Sequence, residues 1–96
     1  MARVLFTAAA RTDLDDALAW YDAHAPHMVA HFRQALRAAV ARIAENPKQF
    51  PGGAYGTRRA LLRRFPYLVI FREMDATVYV VAVFHTSRDP AIARRR

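Results

Sequence analysis

The chain has 96 residues, 54% of them apolar, which excludes a disordered polypeptide and fits a single domain over 1–96 with one modest core. Its 15 basic and 8 acidic side chains leave a formal charge of +7, unevenly spread: residues 1–50 carry six basic and five acidic groups, residues 51–96 nine and three. The lack of cysteine rules out disulfides, zinc–thiolate sites and thiol nucleophiles, and the longest unbroken apolar run, seven residues at 78–84, is far too short to span a membrane.

In chain order, Arg3–Phe6 reads as a short first strand with Val4 and Phe6 on one side. A helix follows from Thr7 or Thr12. Either threonine can cap it, and Thr12 has Asp15 three residues on. Leu14, Ala17, Leu18 and Tyr21 recur at helical spacing as the inward stripe, and Trp20 beside them is expected to pack in the core or the helical hairpin. Asp13, Asp15, Asp16 and Asp22 are expected to solvate this helix and complement its dipole rather than bind metal.

His24-Ala25-Pro26 breaks the pattern, and Pro26 suits the first turn of a second helix that runs to about Asn46. Phe32, Leu36, Ala39, Val40 and Ile43 form its apolar face, and Pro47 ends it. His27 and His31 have a spacing that can grip a metal, but nothing nearby completes a ligand set, so surface histidines are expected and no metal or cofactor. Residues 47–57, with two prolines and three glycines, read as the long connection to a sheet, Gly52-Gly53 being a turn.

Three strands are expected next, at 58–65, 67–72 and 77–85, with a tight hairpin at Met74-Asp75-Ala76. The fold class is therefore α+β, β-α-α-β-β-β: an antiparallel sheet, the first strand at an edge, with the helical hairpin packed on one face. Segments 67–71 and 78–84 are apolar at odd and even positions alike, so each is greasy on both faces of its sheet. Two helices can cover only one face. Nine arginines lie from Arg58 onward, so whatever closes the other face is expected to be negatively charged: an acidic protein, nucleic acid or a nucleoprotein assembly. A solvated basic surface is the alternative. Alone, the chain is expected to dimerise or aggregate.

Several residues can carry chemistry or contacts. His85 can shuttle a proton near neutral pH, with Tyr67 or Tyr79 as an acid and Arg64, Arg72 and Arg88 holding phosphate. Strand alternation puts His85 on one face with Tyr79, Val81 and Val83; a strand-end histidine bonded to its own chain is the structural alternative. Arg88 and Asp89, before Pro90, suit either a partner contact or an ion pair that pins the tail. Alternation over 58–65 sends Arg58 and Arg64 to one side and Arg59 and Arg63 to the other, and at least one pair is expected to touch a partner.

The order of elements, with TDLDDALAWYDAHAP in the first helix, AENPKQFPGG after the second, RRFPYLVIFRE and the ending His85-x-x-Arg88-x-Pro90, resembles the RelE/ParE superfamily of bacterial toxins over essentially the whole chain. The resemblance implies a toxin of a type II toxin–antitoxin pair, cytoplasmic, neutralised by a small antitoxin. RelE-like members cleave messenger RNA on the ribosome with a basic residue on the central strand and a tyrosine near the C-terminus. Here Tyr67 or Leu68 and Ile92 stand in those places. ParE-like members block DNA gyrase by binding, and the chain is closer to these. The resemblance thus implies antitoxin- or target-binding roles for Arg59, Arg63, Arg64, Tyr67, Arg72, Tyr79, His85 and Arg88, with His85, Arg72 and Arg88 the catalytic candidates of the nuclease alternative. A non-toxic interaction module is a third reading.

Overall fold

Thr7 is the single residue between the first strand and the first helix. The structure, a computed structural model, describes residues 1–87. Strand β1 is Arg3–Phe6 and helix α1 is Ala8–His24. Thr7 has extended backbone angles and its hydroxyl accepts from the Ala10 amide at 3.2 Å, so it is the cap. Thr12 lies inside the helix and donates to the Ala8 carbonyl instead. Ala25 closes α1 by donating to the Tyr21 carbonyl, and Pro26, which lacks an amide hydrogen, opens a short 3-10 turn over Pro26–Met28. Helix α2, Val29–Glu45, follows at once and stops before Pro47.

Three strands complete the fold: β2 Arg58–Leu61, β3 Tyr67–Met74 and β4 Thr77–His85. They form an antiparallel meander, as the sequence suggests, and β1 is at the edge in the order β1-β4-β3-β2. β1 runs parallel to β4, so the four-stranded sheet is mixed rather than wholly antiparallel.

The second strand is shorter than the expected 58–65. The Leu62 amide donates to the Tyr67 carbonyl at 2.9 Å, which closes a turn, and Arg64 sits in that turn with φ of 72°. A left-handed residue cannot continue a strand. Side-chain alternation therefore stops at Leu61 and does not sort Arg63 and Arg64.

Both helices lie on one face of the sheet. Tyr21 and Phe32 meet Phe65 and Tyr67 there, the ring centroids of Phe32 lying 5.2 and 5.3 Å from those of Phe65 and Tyr67. Phe32, Phe71, Ile43, Leu62, Val69 and Val80 are fully buried, each contributing about 1.5–3 kcal/mol of apolar transfer.

One irregularity decides what the site can be. Ile70 pairs with Ala82 but Phe71 pairs with Val80, so Val81 is an extra residue on β4, a bulge. Before it, Val78 and Val80 face the helices; after it, Val83 and His85 do. Tyr79 thus faces away from the helices and His85 toward them. The shared face expected from simple alternation does not exist.

Candidate functional site

The outer face of the sheet, opposite the helices, can be read from strand register in rows. Leu61, Leu68 and Phe84 form the first row; Arg59, Ile70 and Ala82 the second. Arg72, Tyr79 and Leu5 form the third, and Met74, Thr77 and Arg3 the last. Phe84 and Ala82 are buried, Leu5, Leu68, Ile70 and Tyr79 half-buried, and Leu61 and Met74 more than half exposed. Arg3 and Arg59 stand at the two edge strands. Arg72 lies between, its Nε buried with no hydrogen-bond partner. The face is an apolar centre set among three guanidinium groups.

The helix face holds a different arrangement. A cleft of about 610 Å³ opens between α1 and the ends of β3 and β4, lined among others by Asp13, Trp20, Tyr21, Tyr67 and His85. Nδ1 of His85 accepts from the Ser87 amide at 3.1 Å and lies 2.7 Å from the Ser87 hydroxyl. A neutral imidazole held this way carries its proton on Nε2. The His85 ring meets Tyr67 edge-on at 5.0 Å, and Tyr67 is itself a core residue. Burial raises the Tyr21 phenol above its ordinary pKa, and the neighbouring Tyr67 adds to the effect.

Two residues of this cleft depart from expectation. Trp20 is not a core residue: it is 51% exposed at the cleft rim, stacked on His24 at 4.5 Å, because Tyr21 takes the inward direction. Asp13 does not solvate the helix: it is 9% exposed and its Oδ2 accepts from the Val83 amide at 3.0 Å. The signal was present in the spacing, since Asp13 falls on the same helical stripe as Ala10, Ala17 and Tyr21, all buried.

A third place gathers two more arginines. Arg63 and Arg64 line a hollow of about 300 Å³ with His31, Ala35 and Phe65, between α2 and the β2–β3 turn. Arg58 is not part of any such surface. Its guanidinium donates to the Phe50 carbonyl at 2.8 Å and to Glu73 at 3.2 Å, tying the 47–57 connection to the sheet.

The predicted residues therefore divide three ways. Arg59, Arg72 and Tyr79 share the outer face; Tyr67 and His85 line the cleft; Arg63 and Arg64 line the hollow. Arg88 lies outside the described residues. His85 and Arg72 stand on opposite faces of one sheet, so they cannot hold and protonate the same phosphate. Among the described residues no three histidine or carboxylate groups are placed to hold a metal ion, and no helix is long and apolar enough to cross a membrane.

A family model described as "ParE toxin of type II toxin-antitoxin system, parDE" matches residues 4–90. The chain belongs to the ParE toxin family. A solved structure of the "Chromosomal ParDE TA system from P. aeruginosa" contains a chain similar to this one, with a TM-score of 0.78 and 21% identity, over 91% of this chain and 98% of that one. At that identity the likeness concerns the fold. A comparison with curated proteins finds no match.

Proposed function

We propose that the chain is a cytoplasmic ParE-like toxin that inhibits DNA gyrase by binding it and is held inactive by a small antitoxin. The observation that carries this reading is the outer face, where Leu61, Leu68 and Ile70 lie among Arg3, Arg59 and Arg72. Apolar centres with arginine around them suit protein contact. The separation of His85 from Arg72 supports binding over messenger RNA cleavage, since transfer through a phosphorane-like state needs acid, base and cation around one centre.

Induced expression of the wild-type chain, with a supercoiling assay beside a ribosome-bound transcript cleavage assay, tests the reading. Growth arrest with loss of gyrase supercoiling is expected, together with intact transcripts. Arg59→Glu is expected to relieve arrest while the protein stays folded, and His85→Ala to leave it. Transcript cleavage abolished by His85→Ala would replace this reading with the nuclease one, and undisturbed growth would leave only an interaction module.

A further inference from the structure

Trp20 is the chain's single tryptophan, and it lies outside the core. It is half exposed, yet it is held in place. The His24 ring stacks on it at 4.5 Å with 13° between the planes, and Tyr21 meets it edge-on at 5.1 Å. His24 is fixed in turn, because its Nδ1 donates to the Trp20 carbonyl at 2.9 Å. An exposed indole whose position is already set makes a contact surface with little ordering cost.

The cleft that Trp20 borders has a charge opposite to that of the molecule. Asp13 and Asp16 line it and no lysine or arginine does, in a chain of net charge +7. Asp16 and Trp20 are one helical turn apart on α1, so their side chains are neighbours on one face. Ala17, buried beside them, adds only a methyl group to the floor, and Tyr21 and Tyr67 supply an aromatic wall. Asp13 is engaged with the Val83 amide. Asp16 is exposed and, among the described residues, makes no hydrogen bond or ion pair.

We infer that this cleft binds a guanidinium group, which lies against the Trp20 indole and is gripped at its edge by the Asp16 carboxylate. A guanidinium is planar, weakly hydrated and rich in N–H donors, so it can stack on a ring and bond a carboxylate at once. Tryptophan is the best aromatic partner for a cation, and the tyrosine wall suits the alkyl stem that carries the group. An ammonium group fits less well, being compact and strongly hydrated. A nucleotide could stack its base, but its phosphates would meet two carboxylates with no lysine or arginine to receive them. A purely apolar ligand would gain nothing from Asp16. The inference is independent of the toxin reading, and the cleft lies across the sheet from the arginine-bordered outer face.

Trp20 emission reads the site directly in the intact chain, with N-acetyl-arginine amide as the probe and N-acetyl-citrulline amide as its uncharged counterpart. A saturable change is expected with the arginine amide, and binding weaker by about tenfold or more with the citrulline amide. Asp16→Asn is expected to weaken arginine amide binding about three- to fivefold with an unchanged circular dichroism spectrum. Asp22→Asn, at an exposed α1 position outside the cleft, should bind as the wild type does. Trp20→Leu, followed by calorimetry, is expected to lose a similar factor to Asp16→Asn. Agmatine and a blocked arginine tripeptide separate the sources. Tighter binding of agmatine supports the site and assigns it to a free metabolite, whereas tighter binding of the tripeptide supports it and assigns it to an arginine of another protein. Equal binding of the arginine and citrulline amides, unchanged affinity in folded Asp16→Asn, or no saturable response to the arginine amide overturns the inference and leaves the toxin reading intact.

Discussion

The carboxylate of Asp13 accepts a hydrogen bond from the backbone amide of Val83 at 3.0 Å, across 70 positions of sequence. The contact follows from where β1 ends. Phe6 is the last residue of β1 and lies opposite Val80, so beyond that point β4 has no strand on that side. The Val83 amide would be a buried donor without a partner, and the second turn of α1 supplies an acceptor. The Val81 bulge falls in the same place. Helix, strand end and bulge are thus one joint, and it sets the direction of His85.

Asp13→Ala is expected to destabilise the isolated chain by about 1–3 kcal/mol, the cost of a buried donor left unmade. Asp13→Asn retains a carbonyl oxygen and should lose less. Urea unfolding followed by circular dichroism measures both. Equal stability of Asp13→Ala and wild type would mean that the Val83 amide finds water.

Alkaline pH should weaken the fold through Tyr21. Its phenol is raised above the ordinary value of 10.0 by burial first and by Tyr67 second, so the folded state holds the proton more tightly than the unfolded one. The stability this represents is fully present below about pH 10 and is lost as pH rises through the folded value. Tyr21→Phe should flatten the high-pH limb of a stability profile. A limb of the same slope in the variant would assign the loss to another group.

Arg72 separates stability from contact. Its Nε is buried without a partner, so replacing the side chain by methionine removes a group that is poorly satisfied in the free chain. Arg72→Met is expected to be neutral or stabilising by up to about 1 kcal/mol, yet to reduce growth arrest, because the outer face loses a central charge. Thermal melts paired with a plating assay decide it. A variant that melts low and arrests growth fully would reverse the assignment.

Arg58 should behave in the opposite way. It bonds the Phe50 carbonyl and Glu73, and Lys48 adds a 3.6 Å pair to the same carboxylate. Arg58→Ala is expected to lose about 1 kcal/mol of stability, and a double-mutant cycle with Glu73→Ala to return a coupling of about 0.5–1 kcal/mol. Growth arrest by the folded fraction should stay at the wild-type level.

What local periodicity and turn chemistry control was open to reading from the residues. The 3.6-residue stripe of Phe32, Leu36, Ala39 and Ile43 makes α2 whatever lies around it, Pro47 ends it, and the apolar runs on either side of Asp75-Ala76 make a hairpin. The two-faced greasiness of β3 and β4 likewise announced a second apolar face, opposite the helices, carrying Leu68, Ile70, Ala82 and Phe84. Position in space was another matter. β2 stops at Leu61 because the turn that meets Tyr67 places Arg64 in the left-handed region, which residue type alone does not signal. The face taken by His85 depends on one extra residue in β4, and that residue is accommodated because a helix seventy positions away caps the gap where β1 leaves. Short-range preference therefore determined the elements and their order, whereas long-range hydrogen bonding decided which side of the sheet each candidate residue occupies. A strand's register is a property of its neighbours, not of its own side chains.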